Sequence, residues 1–476
     1  MRMKYSDKDI HAYDNAVRSI EHERKGEFTR RKMLKASAAT LGATLAAQFV
    51  PSTVYGDVSG TIVHFAASGK RLSNTLTAVK PLFDKVFPNV KLEVVSKPVT
   101  EALTQINTYM GSKSSAFDVV TQDHAQFAAL HAMGALTDLG PFLKGHEAWL
   151  ADYEDDVPEM YRDMWNIPKG PAPPGFIAGL APDGNAMMTF YRKDVFDKAG
   201  LQPPKTWADV LEVAKEIHDP AREQYAYCAA MARNFWAGYQ YFGALVSWGG
   251  HTFVDEPGGD FTPAHSTEEG YQALHHLVEL QKYAHPVTAN AGEDEVNRVF
   301  GNGTAMFSPL SWGTAVLNDA SYTDLHRDWN MAVSPKGSLP NSDHRALTGG
   351  FGFFLPTWGG NKETAFAWSK FMNSGDREDI GGSPLIADAI VGAGGQLSRV
   401  STLKRWSDRK PFFNGLMESF PVCVNSSPIV PEAYAIMGAV GEEVADAVNG
   451  EKSVEAALKA CDKRVHRIME DGGYYS

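Results

Sequence analysis

The chain has 476 residues, 43% of them hydrophobic and 21% charged, with a formal net charge of −12. That length is ample for two core-bearing lobes, and the acidic balance argues against a nucleic-acid partner, which needs a basic patch. The three cysteines, Cys228, Cys423 and Cys461, are an odd set that cannot pair fully within one chain, and no CxxC or Cys/His spacing suggests a zinc site.

Residues 1–28 are polar and charged with no periodic face, which predicts disorder. Thr29-Arg30-Arg31-Lys32-Met33-Leu34-Lys35 then leads into an Ala-rich apolar run from Ala36 to Val50. Paired arginines ahead of a modest apolar run resemble a twin-arginine export signal. The run is too short and too weakly apolar for a comfortable membrane span. Cleavage is expected near Gly56, in Val54-Tyr55-Gly56, giving an exported periplasmic protein that starts near Asp57. Without those 10 basic and 6 acidic residues, 35 remain against 51, a net of −16.

Thr61 to Ala67 is the first predicted strand, ending in Ser68-Gly69-Lys70. A helix follows with Leu76, Val79, Leu82, Phe83 and Val86 on one face. Val90 to Val95, a helix marked by Leu103, Ile106 and Met110, and a strand over Phe117 to Thr121 complete a strand–helix alternation. That order predicts a parallel α/β lobe. Ligands of such lobes sit beyond the carboxyl ends of strands, which singles out Ser68, Gln122 and Asp123. The same residues also suit turn and capping duty. His124 and His131 have no carboxylate at ligand spacing, so no metal is expected. Trp149 to Pro182 reads as loop-rich, with Pro168, Pro171, Pro173 and Pro174.

Met187 to Tyr191 has strand character. Gly200 stops a short amphipathic piece, and Thr206 with Asp209 reads as a capping box. Trp207, Val210, Leu211, Ala214 and Ile217 give the next helix a buried face. Tyr225 to Gly250 is rich in aromatic residues, with Phe235, Tyr239 and Phe242 at helical spacing and Trp248-Gly249-Gly250 as the stop. Ser266 with Glu269 predicts a second capping box. Phe300 to Phe307 reads as a Gly turn feeding a buried strand, off which Trp312 comes. Arg345 to Pro356 is strand-like around Gly349-Gly350, Lys362 to Met372 is helical, and Val440 to Met469 holds two helices around Asn449-Gly450.

Several of these runs carry a resemblance. "YRKDVFDKAGLQPPKTWADVLEVAKEI" is similar to the segment after the first interdomain crossover in extracellular solute-binding proteins of ABC importers, above all the sugar-binding family that includes maltose-binding proteins. Gly134 to Leu139 resembles that family's "G-x-L-x-D-L" run, and Phe300 to Phe307 its "F-x-x-G-x-A-A-M" run. Arg345 to Pro356 resembles its second crossover strand. Gly392 to Arg405 resembles the third crossing, with Leu397-Ser398 standing where relatives have Pro.

The resemblance implies a periplasmic binding protein of type II: two α/β lobes joined by crossover strands, with a ligand cleft between. The lobes would be 57–186 plus 349–398 and 187–348 plus 399–476, after a leader over 1–56. It implies a monomer that captures a small solute, a sugar or polyol, and passes it to the permease subunits of an ABC transporter. A sugar wants aromatic faces flanked by polar groups. Trp236, Trp248, Trp312 and Phe351 are the stacking candidates. Ser68, Gln122, Asp123, Asn185 and Tyr239 are the polar ones, with backbone donors at Gly350. Two alternatives stay open: the same fold binding a phosphorylated polyol, an amine or an oligopeptide, and an exported enzyme. For the enzyme there is no GxxxxGK[ST], HExxH, GxSxG or CxxCH motif, so neither catalytic residues nor a cofactor is expected.

Overall fold

A computed structural model of the chain describes residues 58–67, 69–166, 175–312, 328–395, 397–425 and 427–475. The expected leader over 1–56, Ser68, and the prolines at 168, 171, 173 and 174 lie outside the described residues. Among the described residues there are fourteen strands, interspersed with helices. They are β1 (Gly60–Ala67), β2 (Val90–Lys97), β3 (Val119–Asp123), β4 (Gly179–Leu180), β5 (Asn185–Ala186), β6 (Met188–Arg192) and β7 (Tyr225–Tyr227). Then come β8 (Phe253–Asp255), β9 (Asp260–Pro263), β10 (Ala305–Ser311), β11 (Trp329–Ala332), β12 (Ala346–Gly349), β13 (Phe351–Phe354) and β14 (Cys423–Asn425).

The first sheet runs β2-β1-β3-β13-β4. β1 is parallel to β2 and β3, as the strand–helix alternation predicts, and β13 returns antiparallel to β3 and β4. The helix Lys362–Met372 closes one side of this sheet. Its Trp368 donates from Nε1 to His64 Nδ1 at 2.9 Å and packs edge-on to Phe83. The second sheet runs β11-β6-β10-β7, with Phe190 stacked on Trp329 at 4.4 Å. A three-stranded sheet, β14-β12-β5, lies between the two in chain connectivity. The chain leaves it from β5 into β6 and from β12 into β13, so a single residue, Gly350, separates strands of two different sheets.

The capping box at Thr206 is present: its hydroxyl accepts from the Asp209 N–H and the Asp209 carboxylate from the Thr206 N–H. The second box is not at Ser266. The helix Glu268–Leu280 is capped by Thr267, whose hydroxyl accepts from the Gly270 N–H at 3.2 Å. The reason is tertiary, because the Asp462 carboxylate already holds the N–H groups of His265 and Ser266 at 2.8 and 3.0 Å. Nor is 149–182 all loop. It holds most of the helix Glu147–Asp156 and all of Glu159–Asn166. Trp149 and Tyr153, and Tyr161 and Trp165, are buried pairs at i,i+4 spacing, and the prolines come only afterwards. Cys461 is fully buried, and all three cysteines are free thiols.

Candidate ligand site

The carboxyl edge of the first sheet supplies Gln122 and Asp123 at the end of β3. One Asp123 carboxylate oxygen accepts from the Ala125 N–H at 2.9 Å, which caps the turn His124–Gln126. The other accepts from the Tyr434 hydroxyl. Tyr434 stands on the helix Ala433–Val448, which packs against the helix Phe235–Ser247 within the core of the second sheet. The two helices approach closely because Gly238 meets the Met437 carbonyl, where a Cβ would come within 2.4 Å. That approach brings Tyr434 against Phe235, ring centroids 5.5 Å apart, and into hydrogen-bonding contact with Tyr239.

The aromatic set continues from there. Phe235 lies 4.9 Å from Trp236, and Trp236 lies 6.2 Å from Tyr239. Tyr239 meets Trp312 edge-on at 6.0 Å. The Trp312 indole covers Gly349, where a Cβ would stand 2.2 Å from the ring. Gly349 faces Asn185 in the β12–β5 ladder. Gly350 adopts φ +128°, a conformation that disfavours any side chain, and a Cβ there would meet the Asp183 carbonyl at 2.4 Å. Phe351 then pairs directly with Asp123.

Asp123, Asn185, Trp236, Tyr239, Trp312, Gly350 and Phe351 are thus gathered into one connected set, with Gln122 beside Asp123. Trp248 is not among them. It caps the far end of the helix Phe235–Ser247, nine residues and about 13 Å beyond Tyr239. There it is buried against Gly337 and His276 as a core side chain. Tyr434 and Phe235 belong to the set and were not expected. Tyr434 is 311 residues from Asp123, and its own segment, PEAYAIMGAV, reads only as a buried helix.

Electrostatically the site is built around one carboxyl group and hydroxyls. Burial pushes the Asp123 carboxyl up to about 6, against the downward pull of the Tyr434 and Ala125 hydrogen bonds. Burial and the Asp123 charge raise the Tyr434 hydroxyl well above the ordinary phenol range. The gathered residues include no lysine or arginine. Among the described residues no group of three or more His, Cys, Asp or Glu could hold a metal ion. No described helix is long and apolar enough to cross a membrane.

Known proteins resemble this chain over most of its length. A sequence profile described as bacterial extracellular solute-binding protein matches residues 66–375. The mannitol-binding protein of Pseudomonas aeruginosa is 24% identical over 413 residues, covering 83% of this chain and 89% of its own. A solute-binding protein of Agrobacterium radiobacter K84, solved in complex with ribitol, superposes with a TM-score of 0.74. It is 20% identical, and the match covers 87% of this chain and all of the other. A solute-binding protein of Agrobacterium vitis S4 with bound D-mannitol gives 0.73 at 19% identity, with the same coverage. By the extent of the profile match and by its architecture, the chain belongs to the bacterial extracellular solute-binding proteins, on the type II periplasmic binding protein fold.

Proposed function

We propose that the chain is the periplasmic substrate-binding component of an ABC importer, capturing a polyol or sugar between its lobes and delivering it to the inner-membrane permease. The observation that carries this reading is the contact set joining β3 to the helix Ala433–Val448 through Asp123, Tyr434 and Tyr239. It places a carboxyl acceptor, phenol hydroxyls and aromatic faces around the crossover strands. A polyhydroxylated solute needs that mixture. The relatives named above are a mannitol-binding protein and proteins solved with ribitol and D-mannitol.

In this reading the lobes are 57–186 plus 349–398 and 187–348 plus 399–476, and they close by a hinge motion of the kind seen in periplasmic binding proteins. Gln122, Asp123, Asn185, Trp236, Tyr239, Trp312, Gly350 and Phe351, with Ser68, contact the solute. Export follows the twin-arginine route with cleavage near Gly56. The protein acts as a monomer and leaves its ligand chemically unchanged. A micromolar site needs about −8 kcal/mol, which several hydrogen bonds of about 1 kcal/mol net and a stacked ring supply together.

A thermal-shift screen of the chain from Asp57 onward, against sugars, polyols, amines and phosphorylated polyols, tests the proposal. At 100 times its dissociation constant a ligand stabilises by about 2.7 kcal/mol. A polyol or sugar that raises the melting temperature and is recovered intact supports the reading. Shifts with charged solutes alone, or a ligand that is consumed, would overturn it.

A further inference from the structure

The helix Glu159–Asn166 turns two buried side chains toward the crossovers. Trp165 is 2% exposed, and its indole fills the place a side chain at Gly352 would take, 2.1 Å from a Cβ built there. Gln122 is the residue directly opposite Gly352 in the β3–β13 ladder. The indole and the Gln122 side chain therefore stand side by side on one face of the sheet, about 5 Å apart at their base. Tyr161, one helical turn earlier, covers Gly184 just ahead of β5 and meets Phe420 edge-on at 5.5 Å.

Gln122, Trp165 and Tyr161 each carry a polar atom with no hydrogen-bond partner among the described residues: Nε2, Nε1 and the hydroxyl. Such atoms are costly when buried, and their retention calls for a reason. Some other buried atoms of this kind, such as the Tyr241 hydroxyl and both ring nitrogens of His265, lie by the start of the helix Glu268–Leu280, in the second core. The three here lie instead by the β3–β13 ladder and the residues ahead of β5. Close to them in the chain, Met164, His124 and Ala125 face Asn425, Ser427 and Ile429 across a cavity with room for about one water. The Ile429 N–H donates to the Glu256 carboxylate in the β8–β9 turn, so the second wall is tethered to that hairpin.

We propose that Trp165 and Tyr161 are ligand-binding residues, donating their N–H and O–H to oxygens of the captured solute beside Gln122 Nε2. The assignment rests on the polyol or sugar reading above and deepens it. A hydroxyl of such a ligand accepts from one of these donors, so three neighbouring donors suit an uncharged, hydroxyl-rich chain.

The test uses Trp165→Phe, which keeps a ring over Gly352, and Tyr161→Phe, each compared with wild type. Titration calorimetry is run with D-mannitol, ribitol and maltose. Both variants should keep or raise the melting temperature of the ligand-free protein, because each loses a buried unpartnered group. Each should bind about tenfold more weakly. In the wild type, the Trp165 indole N–H resonance, assigned by its loss in Trp165→Phe, should shift during titration. Wild-type binding with unchanged variant affinities and an unshifted indole resonance would overturn this assignment alone and leave the three atoms to internal water. A wild type that binds none of the three solutes would overturn the polyol and sugar reading, and this assignment with it.

Discussion

Asp123 and Tyr434 are 311 residues apart and share a hydrogen bond that ties the edge of the first sheet to a helix of the second core. The carboxyl pays for that position by desolvation, which raises it to about 6. A raised acid contributes stability that is fully present below the ordinary carboxylate value and is lost as pH rises through 6. Asp123→Asn removes the ionisation while keeping an acceptor for Tyr434. The ligand-free variant should exceed wild type in stability by about 3 kcal/mol at pH 7.5, with the difference closing below about pH 4. Melting temperatures of both proteins from pH 4 to 8 check this. A constant difference across that range would mean that Asp123 does not titrate with closure.

Buried histidines act in the opposite direction. Desolvation lowers His64 to about 3, and His124 and His265 to about 4. A lowered histidine contributes stability that is full above 6.5 and is lost as pH falls toward its folded value. The unfolding free energy from urea titrations should therefore drop between pH 6.5 and 4, by several kcal/mol in all. His64 accepts from Trp368 through Nδ1 and faces Thr121 through Nε2. His64→Gln should flatten part of that slope at some cost in stability. A slope unchanged in the variant would remove His64 from the account.

Trp312 and Trp248 should separate binding from stability. Trp312 is half-buried on Gly349 beside Tyr239, whereas Trp248 fills the core at Gly337. Trp312→Ala should weaken polyol or sugar binding at least about tenfold with a modest change in melting temperature. Trp248→Ala should cost about 3–5 kcal/mol and leave the affinity of the folded fraction unchanged. Calorimetry and urea unfolding on the two variants decide the matter, and equal effects on both readouts would refute the division.

Gly350 should tolerate no side chain. Its φ of +128° and the 2.4 Å approach to the Asp183 carbonyl both oppose a Cβ. Gly350→Ala should destabilise the fold by about 2 kcal/mol or more and lower ligand affinity, because the β12–β13 passage sets where Phe351 and Trp312 meet. Near wild-type stability and affinity in this variant would show that the passage has slack.

Local sequence determined the elements of this protein. Apolar spacing marked the helices of both lobes, the Thr206 box marked one helix start, and strand–helix alternation marked the parallel part of the first sheet. Each depends on residues within a few positions of one another, so each is legible without the fold. The motif order likewise pointed to the family. Tertiary structure decided where each of the aromatic residues stands. Trp248, Trp312 and Trp165 are chemically alike, and all three have sequence neighbourhoods that suit a buried ring. What separates them is the surface each meets: Gly337 in the core, Gly349 at a crossover, Gly352 beside Gln122. It also decided that Thr267 rather than Ser266 caps its helix, through Asp462, and that Asp123 meets Tyr434. Those contacts join residues about 200 to 300 positions apart, and no local periodicity encodes a partner at that separation.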